Sequence, residues 1–174
     1  MDMKTIFKAT ALCLALGGIG INSSALANSV QLNITGTVKA SPCVVESNNG
    51  KIDVPLGDIE AASMATAGSA SGWEPFAMKL VNCPVSTTKV TATFSGTQAD
   101  ENVDMYKNTG DAGSIQIELV DDSETLKLGN GKTMDAPVNA NEAVFNLKAR
   151  AFSLAGGVTP GSISGAVQVA FVYH

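Results

Sequence analysis

The cysteines are the first residues in this sequence whose types could support chemistry. The chain has three, and Cys43 and Cys83 stand apart from Cys13, which lies in an apolar amino-terminal run. Neither Cys43 nor Cys83 has C-x-x-C spacing, and the only histidine, His174, is the last residue. A zinc or redox centre would therefore lack the ligands it needs. The remaining pair predicts a disulfide, which closes a loop of about 40 residues and contributes roughly 4 kcal/mol in the chain-entropy description.

Carboxylates form two clusters that could in principle supply an acid–base pair. They are Asp100, Glu101 and Asp104, and Asp121, Asp122 and Glu124. A glycosidase uses two carboxyl groups around the scissile bond, but neither cluster has calcium-loop spacing and both adjoin turn residues, which indicates solvated loop charge. With one terminal histidine, a nucleophile has no base to activate it. The sequence predicts no catalytic residue, no metal ligand and no cofactor.

The amino terminus has the pattern of an export signal. Lys4 and Lys8 precede an apolar run over residues 9–21, and small residues at Ala25 and Ala27 follow it. This predicts a signal peptide over residues 1–27, cleaved after Ala27. The run is shorter than the roughly 20 residues that cross a bilayer. Export to an oxidising compartment agrees with the Cys43–Cys83 disulfide.

Charge and length narrow the class of protein further. The chain carries 11 basic and 16 acidic side chains, a net charge of −5. Nucleic-acid binding needs a basic surface, and the sequence contains no basic stripe, so we expect no nucleic-acid partner. The length that remains after cleavage suits one domain.

Hydrophobic periodicity in the rest of the chain is close to two, as in strands that face a core on one side and water on the other. The segments lie at residues 30–38, 52–56, 76–80, 90–95, 115–119, 145–151 and 167–173. Asn49 with Gly50, and Asn130 with Gly131, fit two-residue hairpins with positive φ at both positions. In the fifth segment the pattern places Gln116 and Glu118 in water. Short strands separated by turns predict an all-β, immunoglobulin-like sandwich, while residues 61–71 suit either a loop or a short helix.

Segments in which apolar and polar residues alternate lie at both ends of the exported chain. The first carries Val30, Leu32, Ile34, Gly36 and Val38 on one face. The second carries Val167, Val169, Phe171 and Tyr173. A lone glycine in an apolar row leaves room for a close approach. From the pattern alone, both segments could also be ordinary strands of the chain's own sandwich.

Short motifs along nearly the whole chain resemble those of pilins of the chaperone–usher pathway. In order they are Gly36-Thr37-Val38, Ser41-Pro42-Cys43, Val81-Asn82-Cys83-Pro84, the strand at residues 90–96, a turn at Tyr106-Lys107-Asn108, and the segments 115–119 and 149–151. Gly161, fourteenth from the carboxyl end, and the penultimate Tyr173 match a further family signature. Within the family, the chain is most similar to the minor tip subunits of type 1 fimbriae.

The resemblance implies a sandwich that lacks its last strand and is completed by donor-strand complementation. It implies a donor extension at residues 28–39, with Val30, Leu32, Ile34 and Val38 entering pockets and Gly36 fitting a constriction, and a pilin domain at residues 40–174. It further implies an acceptor groove formed by Gly161, Val167, Val169, Phe171 and Tyr173. Such strand addition takes affinity from ladder hydrogen bonds and specificity from alternate side chains.

The resemblance also implies the partners and the location. A periplasmic chaperone would lend a strand, the outer-membrane usher would exchange it for a neighbouring subunit's extension, and the product would be a cell-surface fimbria supporting adhesion. No small-molecule substrate is expected. The favoured interpretation is a minor tip adaptor. The alternatives are the major rod subunit and a glycan-binding adhesin in which Trp73 stacks on sugar, although a lone tryptophan more often anchors a loop.

Overall fold

A computed structural model describes residues 31–38 and 42–174 of the chain. The predicted signal peptide, residues 1–27, and the predicted donor residue Val30 lie outside these ranges. The strands of the described part are β1 Val44–Glu46, β2 Ser69–Ala70, β3 Glu74–Val81, β4 Lys89–Gly96, β5 Tyr106–Lys107, β6 Gln116–Asp121, β7 Thr133–Pro137, β8 Ala143–Ser153 and β9 Val167–Tyr173. A single 3-10 turn covers Ala61–Met64. Helices with the length and apolar character to cross a membrane are absent from residues 31–38 and 42–174.

The strands form two antiparallel sheets. The larger has the order β1-β3-β8-β6-β5, with β2 also paired to β8. The smaller has the order β7-β4-β9. This arrangement confirms the predicted all-β fold, with the long strand β8 at the centre of the larger sheet.

The core lies where the inward rows of both sheets meet. From β4, Val90, Ala92 and Phe94 are at most 1% exposed, and from β8, Phe145 and Leu147 are equally buried. Each of the large side chains stabilises the fold by roughly 1.5–3 kcal/mol on burial. The period-two pattern therefore predicts these strands and their inward faces correctly.

The predicted disulfide is present. Cys43 and Cys83 are bonded, with their Cα atoms 4.3 Å apart, and both are buried. Because Cys43 directly precedes β1 and only Asn82 separates Cys83 from the end of β3, the bond fixes one end of that strand pair.

The two predicted hairpins have different outcomes. Asn49 and Gly50 both have positive φ, and Asn48 bridges Lys51 around them, as expected. At the second site only Gly131 has positive φ. The chain there passes from a bridge with β6 to strand β7 of the other sheet, so the prediction of a hairpin between paired strands is wrong.

Three other local predictions also change. Residues 52–56 form no strand, because alternation records which face is buried and not whether a partner backbone is present. Tyr106 and Lys107, expected in a turn, form the short strand β5. Residues 61–71, for which a loop and a helix were both open, contain the 3-10 turn and the two-residue strand β2.

Gln116 and Glu118 are buried, contrary to their predicted exposure to water. Glu118 accepts a hydrogen bond from Arg150 Nε at 2.7 Å, and Lys127 Nζ lies 3.9 Å from its other oxygen. Gln116 Nε2 donates to Glu101 at 2.9 Å. Long side chains from neighbouring elements thus cover this outer face, which strand periodicity alone does not register.

Candidate functional site

Strand β9 lies at an edge of the smaller sheet. Residues 167–173 pair with residues 90–96 of β4 along one side. In the part of the chain that the structure describes, no strand pairs with the other side of β9. An edge of this kind presents backbone donors and acceptors to which another strand can add.

The inward row of β9 is incompletely covered. Val167, Val169, Phe171 and Tyr173 pack against the main core but are only partly buried. Phe171 reaches Phe145, with ring centroids 5.9 Å apart. On the adjacent strand β4, the side chains that point to the core are almost completely buried. Within the smaller sheet, the core is therefore less well covered along β9 than along β4.

A second segment that packs against the same core is also only partly buried. Val54 and Leu56 pack against the main core cluster and are partly buried, and residues 52–60 belong to no strand. The sequence pattern predicts an ordinary strand at these residues and does not indicate that they belong to the site. The alternation of Ile52, Val54 and Leu56 was the available signal, but it does not show that the backbone is unpaired.

Gly161 lies in the segment that leads into β9 and packs closely on the loop at residues 111–112. A Cβ atom placed on Gly161 would lie 2.4 Å from Ala112 N, so any side chain would push the two segments apart. Val158 and Ile163, from the same stretch, line a cleft of about 300 Å³ together with Met64 and Ile115. The structure thus gives Gly161 a packing role at the entrance to β9.

The carboxyl end of β9 is firmly held. The His174 N–H donates to Lys89 O at 2.9 Å, and His174 O accepts from the Thr88 N–H at 2.6 Å. Burial raises the pKa of the neighbouring Tyr173 hydroxyl above its usual value. The phenol is therefore neutral at physiological pH, as suits a side chain that belongs partly to an apolar surface.

The described part of the amino-terminal extension is exposed throughout. Leu32, Ile34 and Val38 are 79%, 82% and 100% exposed. No residue between 31 and 38 belongs to a strand, and a Cβ atom on Gly36 would meet nothing within 4 Å. Large aliphatic side chains at regular spacing without cover mark a segment suited to burial elsewhere.

The carboxylates of the two acidic clusters make hydrogen bonds and ion pairs within their own loops and with nearby lysines. Asp121 accepts hydrogen bonds from the Ser123 hydroxyl and from the Thr125 and Leu126 amides. Desolvation opposes ionisation of Asp121, but these hydrogen bonds outweigh it and lower its pKa. Such a carboxylate is a charged loop stabiliser.

The other carboxylates of the two clusters also have structural contacts. Asp122 and Glu124 face Lys148, and Asp100 and Asp104 face lysines as well. Among the described residues, no three His, Cys, Asp or Glu side chains are grouped to hold a metal ion.

Trp73 is a partly buried side chain against the larger sheet. The guanidinium of Arg150 lies 4.0 Å from its ring centroid, and Arg150 is itself bonded to Glu118. A cation over an aromatic face is a stabilising contact in its own right. One face of the ring is therefore already in use, which favours the loop-anchor interpretation over a sugar platform.

Taken together, the geometry defines a class of protein: an all-β sandwich with an open core beside an edge strand, and an exposed apolar segment before its first strand. Comparisons with known proteins agree. The sequence model of the family described as "Fimbrial protein" matches residues 32–174. The chain belongs to the fimbrial protein family.

Sequence identities to individual relatives show how similar the chain is to known fimbrial proteins. The chain is 40% identical over 164 residues to protein FimG of Escherichia coli strain K12, covering 94% of this chain and 93% of that protein. It is also 40% identical to the S-fimbrial adhesin protein SfaS of Escherichia coli O6:K15:H31, covering 99% of each. In a chaperone–usher pilus structure, one chain matches with a TM-score of 0.64 at 18% identity, covering 85% of this chain and 97% of that one. The resemblance to pilins and the immunoglobulin-like fold are both confirmed, and the chain is a fimbrial subunit.

Proposed function

We propose that this protein is a minor adaptor subunit near the tip of a type 1-like fimbria, assembled by donor-strand exchange and structural rather than catalytic. The observation that carries the proposal is the pairing of two complementary features in one chain. The inward row of β9 leaves the core open, while Leu32, Ile34 and Val38 stand exposed on the extension. The open core along β9 of one subunit needs an added apolar strand. The exposed extension of a neighbouring subunit can supply that strand.

The acceptor site in this proposal is a groove with two walls. One wall is β9, through Val167, Val169, Phe171 and Tyr173, with Gly161 setting the approach to it. The other is the unpaired segment that carries Val54 and Leu56. A strand added along β9 would hydrogen-bond to its free edge and place alternate side chains on the core.

The donor in this proposal is residues 28–39, with Val30, Leu32, Ile34 and Val38 buried and Gly36 at a constriction. Burying four aliphatic side chains contributes about 6–12 kcal/mol before ordering costs. The cost of ordering a twelve-residue segment on binding is substantial. The closing of the acceptor's core supplies the remaining stabilisation, so donor and acceptor benefit together.

The partners follow from the same chemistry. Before assembly the open edge needs temporary cover, which a periplasmic chaperone strand would provide, and the outer-membrane usher would then exchange that strand for a subunit's extension. The signal peptide over residues 1–27 would start this route, which ends in an extracellular fimbria. The likeness to FimG supports a tip adaptor over the major rod subunit.

The test of the proposal is strand exchange in the purified chaperone complex. Peptides corresponding to the extensions of candidate neighbouring subunits are added to the chaperone–subunit complex, and displacement of the chaperone is followed by native mass spectrometry. We expect one peptide to displace it and the others to fail. In the reciprocal assay, the peptide of residues 28–39 should be captured by another fimbrial subunit.

The extension offers a matched pair of variants for the reciprocal assay. Ile34→Asp introduces a charge on the inserted face and should abolish capture, whereas Thr35→Asp places the same charge on the opposite face and should be tolerated. Removal of residues 28–39 should leave chaperone binding intact and prevent the chain from joining a neighbour. Normal incorporation of the shortened chain into fibres would rule out the donor role.

A second candidate function is an adhesin. The observation in its favour is that a relative named as an adhesin matches this chain over 99% of both lengths, so a chain of this size is compatible with such a role. The test is a glycan screen of the chaperone-free, strand-complemented protein with Trp73→Ala beside it. Binding to a defined glycan that depends on Trp73 would favour the adhesin; a blank screen would favour the adaptor.

A further inference from the structure

Two exposed valines flank the Cys43–Cys83 disulfide, and neither side chain belongs to the main hydrophobic core. Val85 is 94% exposed and Val44 is 55% exposed. Val85 is a central residue of a turn that the Thr87 N–H closes by donating to Pro84 O at 2.9 Å. Turn centres favour glycine, proline, asparagine, aspartate and serine, for conformational and hydrogen-bonding reasons. Neither turn chemistry nor core packing accounts for a valine here.

The disulfide keeps these two side chains in one region. With 4.3 Å between the bonded Cα atoms, chain geometry holds the Cα atoms of Val44 and Val85 within about 16 Å of each other. The end of β9 is nearby, because the Thr88 N–H donates to His174 O. We call Val44, the disulfide and the turn at residues 84–87 the disulfide pole.

The predicted donor extension is joined in sequence to the disulfide pole through Cys43. Its last proposed donor residue, Val38, is five peptide units from Cys43, and a fully extended chain of that length spans at most about 18 Å. A subunit whose groove takes residues 28–39 is therefore held close to Val44 and Val85 by covalent connection. Such a short link brings the two surfaces together at high effective concentration.

We propose that Val44 and Val85 form an apolar body-to-body contact with the fimbrial subunit that accepts residues 28–39. The inference rests on the proposed donor role and adds a second interface to it. The extension supplies the strand, while the disulfide pole restricts how far the two bodies can bend about the short link. The occupant of the pole is the accepting subunit.

Exposed valines are common on protein surfaces, and the chain offers one as a control. Val103 is 63% exposed and follows the end of β4, whereas Val85 precedes its start. Eight strand residues span about 26 Å, so Val103 lies towards the opposite end of the body. Serine at either position removes apolar surface while keeping a small side chain on an exposed loop.

The experiment uses the full exported chain and the fimbrial subunit that the peptide of residues 28–39 captures. Hydrogen exchange of the amides at residues 85–88 is compared between the strand-complemented chain bound to that subunit and the strand-complemented chain without it, and dissociation of the full chain is compared with that of the peptide. We expect the amides at 85–88 to exchange several-fold more slowly in the complex. Burial of one valine corresponds to about a tenfold change in rate, so Val85→Ser should accelerate dissociation about tenfold and Val103→Ser should leave it unchanged.

The outcomes separate the two proposals. If the peptide and the chain are captured but residues 85–88 exchange as they do without the accepting subunit, and Val85→Ser dissociates like the parent, the body contact is overturned and strand donation stands. Equal effects of Val85→Ser and Val103→Ser would overturn it as well. If no subunit captures the peptide, the donor role itself fails and the contact fails with it.

Discussion

At the scale of single residues, Tyr106 shows most clearly how the core sets a chemical property. Its ring is 1% exposed, and its hydroxyl donates to Leu128 O at 2.8 Å. Burial raises the pKa of Tyr106 to about 12. Since the folded state disfavours the phenolate, the stability from this group is complete below the ordinary pKa of about 10 and is lost as the pH rises towards 12.

The alkaline titration of the chain tests this assignment, because Tyr106 and Tyr173 are its only two tyrosines. Tyrosinate absorbance should rise in two steps, both above the ordinary value, with Tyr106 the later. Two pKa units correspond to about 2–3 kcal/mol of folding stability at high pH. The variant Tyr106→Phe should lack the later step and lose less stability between pH 10 and 12. A parent protein in which both tyrosines titrate near 10 would contradict the burial of Tyr106.

At the scale of elements, the long and strongly periodic strands are the part that the sequence predicts best. β3, β4 and β8 each bury one face of an alternating segment, β9 partly buries one, and periodicity reports that face directly. Residues 52–56 alternate equally well without forming a strand, because pairing depends on a partner backbone that the pattern does not encode. The tight turn that connects β7 to β8 of the other sheet gives no clear sequence signal, because it uses Ala140 and Asn141 at positive φ and alanine is not a typical turn residue.

The outer face of the larger sheet was also mispredicted, for a reason that involves several elements. Glu118 on β6, Arg150 on β8, Lys127 and Trp73 come from separate parts of the chain and together cover a surface that each strand alone would expose. The candidate site is even harder to predict from the sequence. The alternating end segments are visible in the sequence, but the half-buried state of β9 is a property of the assembled sandwich.

The Glu118–Arg150 pair gives a prediction at this scale. Arg150→Met would leave the buried Glu118 carboxylate with only Lys127, and we expect a loss of about 2–4 kcal/mol in unfolding free energy. Adding Glu118→Leu should recover much of that loss, because two apolar side chains can replace a buried ion pair. Urea denaturation of the strand-complemented protein measures both.

Lys148→Met is the matched control for this pair, since Lys148 lies two residues from Arg150 on the same strand face and meets the exposed Asp122 and Glu124. Exposed pairs are worth at most about 1 kcal/mol. If Arg150→Met costs no more than Lys148→Met, the pair does not support the sheet.

At the scale of the whole molecule, the proposed groove makes stability a property of two chains. The core is closed on β4 and β8 but open along β9, so the body alone buries less apolar surface than a complete sandwich of its size. A ligand that binds only the folded state stabilises it by mass action, by about 2.7 kcal/mol at one hundred times its dissociation constant. In the proposed assembly, the strand from a neighbouring subunit would act as such a ligand, and fibre assembly would then become part of folding.

The melting temperature of the subunit should therefore rise with the logarithm of the concentration of the peptide that displaces the chaperone. Phe171→Ala removes a side chain from the inward row of β9 and should weaken this dependence, because the added strand loses a partner in the groove. Val172→Ala, one residue away on the exposed face of the same strand, should leave the peptide dependence unchanged. Differential scanning calorimetry across a peptide series measures both variants against the parent. A melting temperature that is high without peptide and indifferent to its addition would mean that the sandwich closes its own core.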